Sequence, residues 1–146
     1  MLDSQSLRLV FATRQVHDAL TGHVSRMLIG RGWAFASPAV LRFLSEFECG
    51  VNHASEVARR LDLSRQVVSR TVAEMGRLGV LKVAKDPARG NQNVIAFTER
   101  GERLMADARQ VLAELDASLG GEDGLEGLLH RLTELQERLA AGVVVK

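Results

Sequence analysis

Apolar residues recur every three or four positions at both ends of the chain. They do so over residues 9–28, again over 104–119 and again over 125–139. This spacing is typical of amphipathic helices, whose apolar side chains share one face. Glycine-containing breaks at 30–32 and at 120–121 separate these segments, because glycine commonly ends a helix. The pattern predicts one long helix at the start of the chain and two at its end.

The middle of the chain predicts shorter helices. A serine–proline pair begins an almost wholly apolar segment, 37–47, which we expect to be a central helix. Residues 54–61 predict a short helix, 62–63 a turn, and 64–78 a further helix that Ser64 caps. Two helices joined by so short a turn predict a helix-turn-helix unit.

The strongest strand signal comes directly after this unit. Residues 80–85 and 93–97 favour β structure, and they flank a polar loop, 86–92, that contains glycine and proline. They predict a hairpin that must lean on the preceding helices, since an isolated hairpin is marginal. Thr98 is positioned to cap the next helix. We therefore predict a mainly α (α+β) fold, a winged helix-turn-helix flanked by long N- and C-terminal helices.

Within the helix-turn-helix unit, small and branched side chains occupy the expected contact positions. Ala58 on the first helix and Val68 on the second should face each other. Leu61 and Leu63 should pack on the turn from either side. Asp62 stands where many such units have glycine, and aspartate tolerates a left-handed backbone better than most residues.

The helical period also predicts which side chains of the second helix face solvent. If Val68, Val72 and Met75 face the core together with Thr71, polar residues near the N-terminal half point outward. Arginine pairs with guanine edges, glutamine with adenine, and serine with phosphate oxygens. A recognition helix and an ordinary solvated face fit this pattern equally well on the helix alone. The outward residues are Ser64, Arg65, Gln66, Ser69 and Arg70.

The predicted hairpin loop adds a second group of candidate DNA contacts. Gly90 lets the backbone turn sharply, so Arg89 is expected to reach a narrow minor groove. Other polar and basic residues nearby are expected to contact bases or flanking phosphates. They are Arg77, Lys82, Lys85, Asn91, Gln92 and Asn93.

Composition and charge sharpen this picture. The chain has 146 residues, 46% of them hydrophobic and 25% charged, as expected for one globular domain. The net charge of +1 gives no reason to expect a polyanionic partner, but it hides an uneven distribution. Residues 53–100 contain nine Lys/Arg and five Asp/Glu, and residues 101–146 contain five and nine. A net charge of +4 beside one of −4 indicates a nucleic-acid-binding module joined to a segment that does not touch nucleic acid.

Several other classes of protein are disfavoured. A single cysteine excludes a disulfide framework and fits a reducing compartment. Without a membrane-length apolar run or a signal-like N-terminus, we expect a cytoplasmic protein with no membrane partner. No nucleophile elbow, phosphate-binding loop or metal-ligand cluster is present in the sequence, so we expect neither an enzyme, nor a cofactor, nor a metal.

The middle third resembles the MarR family of winged-helix transcription regulators. The resemblance lies in HASEVARRLDLSRQVVSRTVAEMGRLGVL, residues 53–81, and in the segment 86–101 that ends FTERG. It implies one MarR-like domain over 1–146, with dimerisation helices at 5–36 and 101–141 and a winged helix-turn-helix at 37–100. It also implies an obligate homodimer on a palindromic operator. The apolar stripes argue for a dimer independently, because one small domain cannot cover them.

The resemblance assigns roles to individual residues. It places the outward residues of 64–70 on a recognition helix, and it implies that Asp86 orients a wing arginine. It places an effector pocket near Arg14, His17 and Trp33, for which ordinary packing is the alternative. The chain departs from the family in having a single wing arginine and in having His53 where a Ser or Thr cap is common.

The sequence leaves three functions open. The first is a homodimeric DNA-binding repressor that a small effector releases. The second is a regulator that senses oxidants through Cys49, although a buried small hydrophobe explains this residue more simply. The third is a winged domain used only for protein contact, which a weak salt dependence of binding would distinguish from DNA binding.

Overall fold

The computed structural model describes residues 4–47, 50–120 and 122–142. Most of the described chain is helical, and it includes a small three-stranded antiparallel sheet. The elements are α1 Gln5–Gly30, α2 Pro38–Ser45, β1 Asn52–His53, α3 Ala54–Leu61, α4 Arg65–Arg77, β2 Leu81–Asp86, a 3-10 turn Pro87–Arg89, β3 Gln92–Phe97, α5 Glu99–Ser118 and α6 Glu122–Ala140.

Serine and threonine hydroxyls cap the N-termini of several helices. The Ser37 side chain accepts from the Val40 N–H at 3.3 Å, and Ser64 accepts from the Val67 N–H at 3.2 Å. Each satisfies a backbone donor that lacks a helical partner. Thr98 caps α5 in the same way, as the sequence predicts. The helix α2 ends at Ser45, two residues before the expected end.

The sheet has three strands rather than the two of the predicted hairpin. The strand order is β1-β3-β2, and both pairings are antiparallel. In β1, Asn52 pairs with Ile95 and His53 pairs with Val94. A strand of two residues is too short to show a period in the sequence, which is why it was not predicted. Its effect is to bring the start of α3 against the wing.

The helix-turn-helix unit packs largely as predicted. Ala58 and Val68 are both buried, and Asp62 adopts a left-handed conformation with φ 52°. Leu61 is buried, and Leu63 is 39% exposed and lines the same cavity as Leu61. The backbone also holds the turn, because the Leu63 N–H donates to the Ala58 carbonyl at 3.0 Å.

The chain divides into two compact units, residues 1–109 and residues 110–146, and the helix α5 runs through the boundary. In the first unit, the N-terminal half of α1 exposes apolar side chains such as Phe11 and Val16. In the second unit, α6 exposes leucines such as Leu129. No helix in the described ranges has the length and apolar character needed to cross a membrane.

Candidate nucleic-acid interface

The outward face of α4 is built by packing on its opposite side. Val68, Val72 and Met75 are buried against the rest of the unit, and Thr71 is half-buried. Because the helix repeats every 3.6 residues, this anchoring turns the remaining positions toward solvent. Every predicted recognition-helix residue is exposed, as the sequence expects. These residues are Ser64, Arg65, Gln66, Ser69 and Arg70.

The wing is closed by a short turn with its own cap. The Asp86 Oδ1 accepts from the Ala88 N–H at 3.0 Å and so holds the start of the 3-10 turn. Gly90 and Asn91 follow with φ of 62° and 59°, the left-handed region that glycine and asparagine tolerate best. The Asn91 N–H then donates to the Asp86 carbonyl at 2.9 Å. This turn defines where the wing's polar side chains emerge.

The structure brings the recognition helix and the wing together. A cleft of about 330 Å³ is lined by Arg65 and Ser69 from α4 and by Gln92 and Asn93 from β3. Ser55, at the start of α3, lines the same cleft. Sequence reasoning did not select Ser55 for DNA contact, because it becomes a neighbour of the wing only through the pairing of β1 with β3.

The wing arginine contacts side chains at the start of α3. One guanidinium nitrogen of Arg89 is 3.4 Å from His53 Nδ1 and 3.6 Å from Glu56 Oε1. The other ring nitrogen of His53, Nε2, lies 3.4 Å from Asp86 Oδ2, so the ring links Asp86 to Arg89. This arrangement explains why His53, at the N-cap of α3, makes no side-chain cap bond to that helix.

The remaining basic candidates lie around these two elements. Arg77 is in the last turn of α4, and Lys82 and Lys85 lie along β2. All three are exposed, as contacts to flanking phosphates would require.

The three residues proposed for an effector pocket do not line one cavity. His17 lines a cavity of about 480 Å³ between α1 and α2, whereas Trp33 lines another of about 290 Å³ with three arginines. His17 lies about 20 Å along α1 from the end of that helix, which precedes Trp33, because an α-helix rises 1.5 Å per residue. Arg14 is among the lining residues of neither and lies 3.9 Å from Asp18 on the exposed surface.

Trp33 is anchored by contacts that the sequence did not reveal. Its indole Nε1 donates to Asp107 Oδ2 at 2.7 Å. The Arg100 guanidinium lies 5.6 Å from the Trp33 ring and 6.0 Å from the Phe35 ring, within the range of cation–π attraction. A sequence separation of 74 residues between Trp33 and Asp107 leaves no local signal for this bond. These contacts favour a packing role for Trp33.

Cys49, the proposed redox sensor, lies outside the described residues, and its role stays a prediction from the sequence. Within the described part of the chain, no group of three or more His, Cys, Asp or Glu residues is arranged to hold a metal ion.

No protein-family model matches the chain, and no curated protein matches it significantly. Solved structures match along nearly the whole chain. A MarR family transcriptional regulator from Rhodococcus sp. RHA1 is 22% identical and covers 98% of this chain and 99% of its own, with a TM-score of 0.67.

Two further solved structures are similar to this chain over most of its length. Sco5413, a MarR family transcriptional regulator from Streptomyces coelicolor, is 26% identical and covers 97% of this chain and 98% of its own, with a TM-score of 0.62. A mutant MarR from E. coli complexed with operator DNA is 17% identical and covers 88% of this chain and 91% of its own, with a TM-score of 0.64. The chain therefore has the winged helix-turn-helix fold of the MarR family of transcription regulators.

Proposed function

We propose that the protein is a sequence-specific DNA-binding transcription regulator that acts as a homodimer. The observation that carries the proposal is the cleft in which Arg65 and Ser69 of α4 meet Gln92 and Asn93 of the wing. Recognition of a duplex requires a helix that fits the major groove and a neighbouring element that contacts the backbone or the minor groove. The fold shared with the operator-bound E. coli MarR supports the same function.

Each element has a distinct task in this proposal. The exposed arginines and glutamine of α4 donate to base edges in the major groove, where arginine recognises guanine and glutamine recognises adenine. Ser64 and Ser69 contact phosphate oxygens. Arg77, Lys82 and Lys85 hold flanking phosphates, while Arg89 and Asn91 contact DNA from the wing.

Dimerisation explains the apolar surface that a single chain leaves exposed. Phe11 and Val16 on α1 are each more than half exposed, and so are Leu128 and Leu129 on α6. Contiguous apolar patches of this kind are characteristic of protein interfaces. Two copies related by a two-fold axis would present two α4 helices to half-sites about 34 Å apart on an inverted repeat.

Regulation by a small molecule is part of the proposal. The cavity of about 480 Å³ lies between α1, which we assign to dimerisation, and α2, which we assign to the DNA-binding lobe. A ligand that prefers one relative position of these helices changes the spacing of the two lobes, and hence the affinity for DNA. In this scheme the protein is a repressor that its effector releases from the operator.

The test is selection of random duplex DNA by the purified full-length protein, followed by sequencing of the bound fragments. We expect enrichment of an inverted repeat whose half-sites are about one helical turn, roughly 10 base pairs, apart. No enrichment over the input library would contradict sequence-specific binding. Sedimentation of the free protein checks the dimer separately, since a monomer at micromolar concentration would contradict it.

A further inference from the structure

The wing and the start of α3 share a polar network around His53, of which the proposed recognition scheme uses only Arg89. His53 links two groups of opposite charge, with Asp86 on the Nε2 side and Arg89 on the Nδ1 side, each at 3.4 Å. The His53 side chain is 12% exposed and that of Asp86 is 24% exposed, so solvent screens their contact only in part. Arg89 is the single arginine between residues 78 and 99.

The chemistry of the two neighbours determines which ring nitrogen carries the proton. A carboxylate only accepts hydrogen bonds and a guanidinium only donates them. His53 therefore donates from Nε2 to Asp86 and accepts at Nδ1 from Arg89, which is possible only for the neutral ring in one tautomer. The pairing of His53 with Val94 in the sheet holds the ring between these partners.

Protonation would reverse the second contact. A protonated imidazole has a donor on both nitrogens, so Nδ1 would direct its N–H at a guanidinium that has no acceptor. The hydrogen bond from the ring to Asp86 would become an ion pair, while the charged ring and the Arg89 guanidinium would repel each other. Histidine is the side chain that changes charge between about pH 5 and 8.

The charged groups around the ring come from three elements. Asp86 belongs to β2, Arg89 to the 3-10 turn, and Glu56 to α3, where its Oε1 lies 3.6 Å from the arginine. The partner of His53 on β3 is the uncharged Val94. Once the ring is protonated, Arg89 keeps only the exposed contact with Glu56, and such a contact is weak.

We infer that His53 is a positioning residue that holds the wing arginine against α3 while the ring is neutral and releases it toward DNA when the ring gains a proton. The inference rests on the proposed DNA-binding function. Acidification adds a positive charge beside the turn that closes the wing and frees Arg89 for a phosphate, so DNA binding and proton uptake favour each other. The contribution of the wing to DNA affinity is therefore larger at pH 6 than at pH 8.

The first experiment needs no DNA. In the 15N-labelled protein at pH 8, long-range proton–nitrogen spectra of the imidazoles are assigned by comparison with His53→Gln. We expect His53 to carry its proton on Nε2, and we expect the Nδ1 resonance to move in Arg89→Ala, an exposed change that leaves the fold intact. A proton on Nδ1 at pH 8, or an Nδ1 resonance unchanged in Arg89→Ala, would overturn the inference.

The second experiment measures the affinity for the selected duplex at pH 6 and pH 8 over a series of salt concentrations. In the parent, the slope of log affinity against log salt should steepen by about two at pH 6, the effect of one additional phosphate contact from each protomer of the proposed dimer. His53→Gln keeps an acceptor and a donor but does not titrate, so this change of slope should disappear. His130→Gln on α6 is the matched control and should behave as the parent does.

The same change of slope in His53→Gln and in the parent would overturn the inference. If the parent binds no duplex at either pH, the proposed function fails, and the imidazole spectra still decide whether His53 holds Arg89 through a neutral ring.

Discussion

The outer face of α4 and the wing present basic side chains by different physical means. On α4, Arg65 and Arg70 are exposed because Val68 and Val72 are buried on the opposite side of the same helix. On the wing, Arg89 is held by side chains from β1 and α3, which lie more than 30 residues away in the sequence. Local periodicity places the first group, and tertiary contacts place the second.

This difference separates two tasks in DNA recognition. A helix face with regularly spaced donors is suited to reading base edges in the major groove. A single arginine that is shared with a histidine and a glutamate is suited to an adjustable contact that carries no sequence information. We therefore expect changes on α4 to alter sequence preference and changes at the wing to alter overall affinity.

The largest expected effect comes from the first turn of α5, which packs against the end of the wing. In Gly101→Ala, the new Cβ would collide with the backbone carbonyl of Val80, the residue before β2, and would lie 2.9 Å from a ring carbon of Phe97. Overpacking against backbone should lower the free energy of unfolding by about 3 kcal/mol. Urea denaturation measures this decrease in the free energy of unfolding. Gly30→Ala, where a Cβ meets nothing within 4 Å, is the control, and equal stability of the two variants would contradict the packing argument.

The next largest effect tests whether α4, and not the wing, determines the sequence preference. Arg70→Ala should weaken binding to the selected duplex by about 2 kcal/mol, roughly thirtyfold, and should relax the preference at one base pair of each half-site. Fluorescence anisotropy with the selected duplex and its single-base variants measures both effects. Arg109→Ala, also exposed but on α5, should leave affinity unchanged. Unaltered operator binding by Arg70→Ala would show that α4 does not read bases.

A smaller effect concerns the stability of the first turn of α4. Ser64→Ala removes the hydroxyl that accepts from the Val67 N–H and should cost about 1 kcal/mol of folding free energy. Ser69→Ala, on the exposed face of the same helix, should change stability much less. Thermal unfolding followed by circular dichroism compares the two, and similar losses in both would argue against a capping role.

The smallest effect measures the contribution of the wing to overall DNA affinity. At pH 6, Arg89→Ala should weaken binding to selected and unrelated duplexes by a similar, severalfold factor and should reduce the salt slope by about two, one for each protomer of the proposed dimer. The ratio of the two affinities should therefore stay at the parent value. A change in that ratio would mean that Arg89 reads sequence and that the proposed division between helix and wing is wrong.

The sequence predicted those parts of the molecule that depend on local signals. Helix α4, its Ser64 cap, the left-handed Asp62 and the start of α5 at Thr98 follow from periodicity and capping chemistry, and the structure confirms them. The outward direction of Arg65 and Arg70 follows from the same helical period.

Contacts between distant residues could not be predicted in this way. The strand β1 has two residues and no detectable period, so the link from His53 to Asp86 and Arg89 was missed. The departure at His53 was visible, but the sequence suggested only the loss of a helix cap. The bond from Trp33 to Asp107 was hidden for the same reason, because no local pattern reports a partner 74 residues away.

Sequence-specific DNA binding is tested most directly by the affinity of the protein for its selected duplex and for a scrambled duplex, measured over a series of salt concentrations. We expect the logarithms of both affinities to fall steeply and linearly with log salt, because basic side chains displace counterions from phosphates. We also expect the selected duplex to bind at least about a thousandfold more tightly at each salt concentration. Equal affinity for the two duplexes, or affinity independent of salt, would contradict sequence-specific DNA binding.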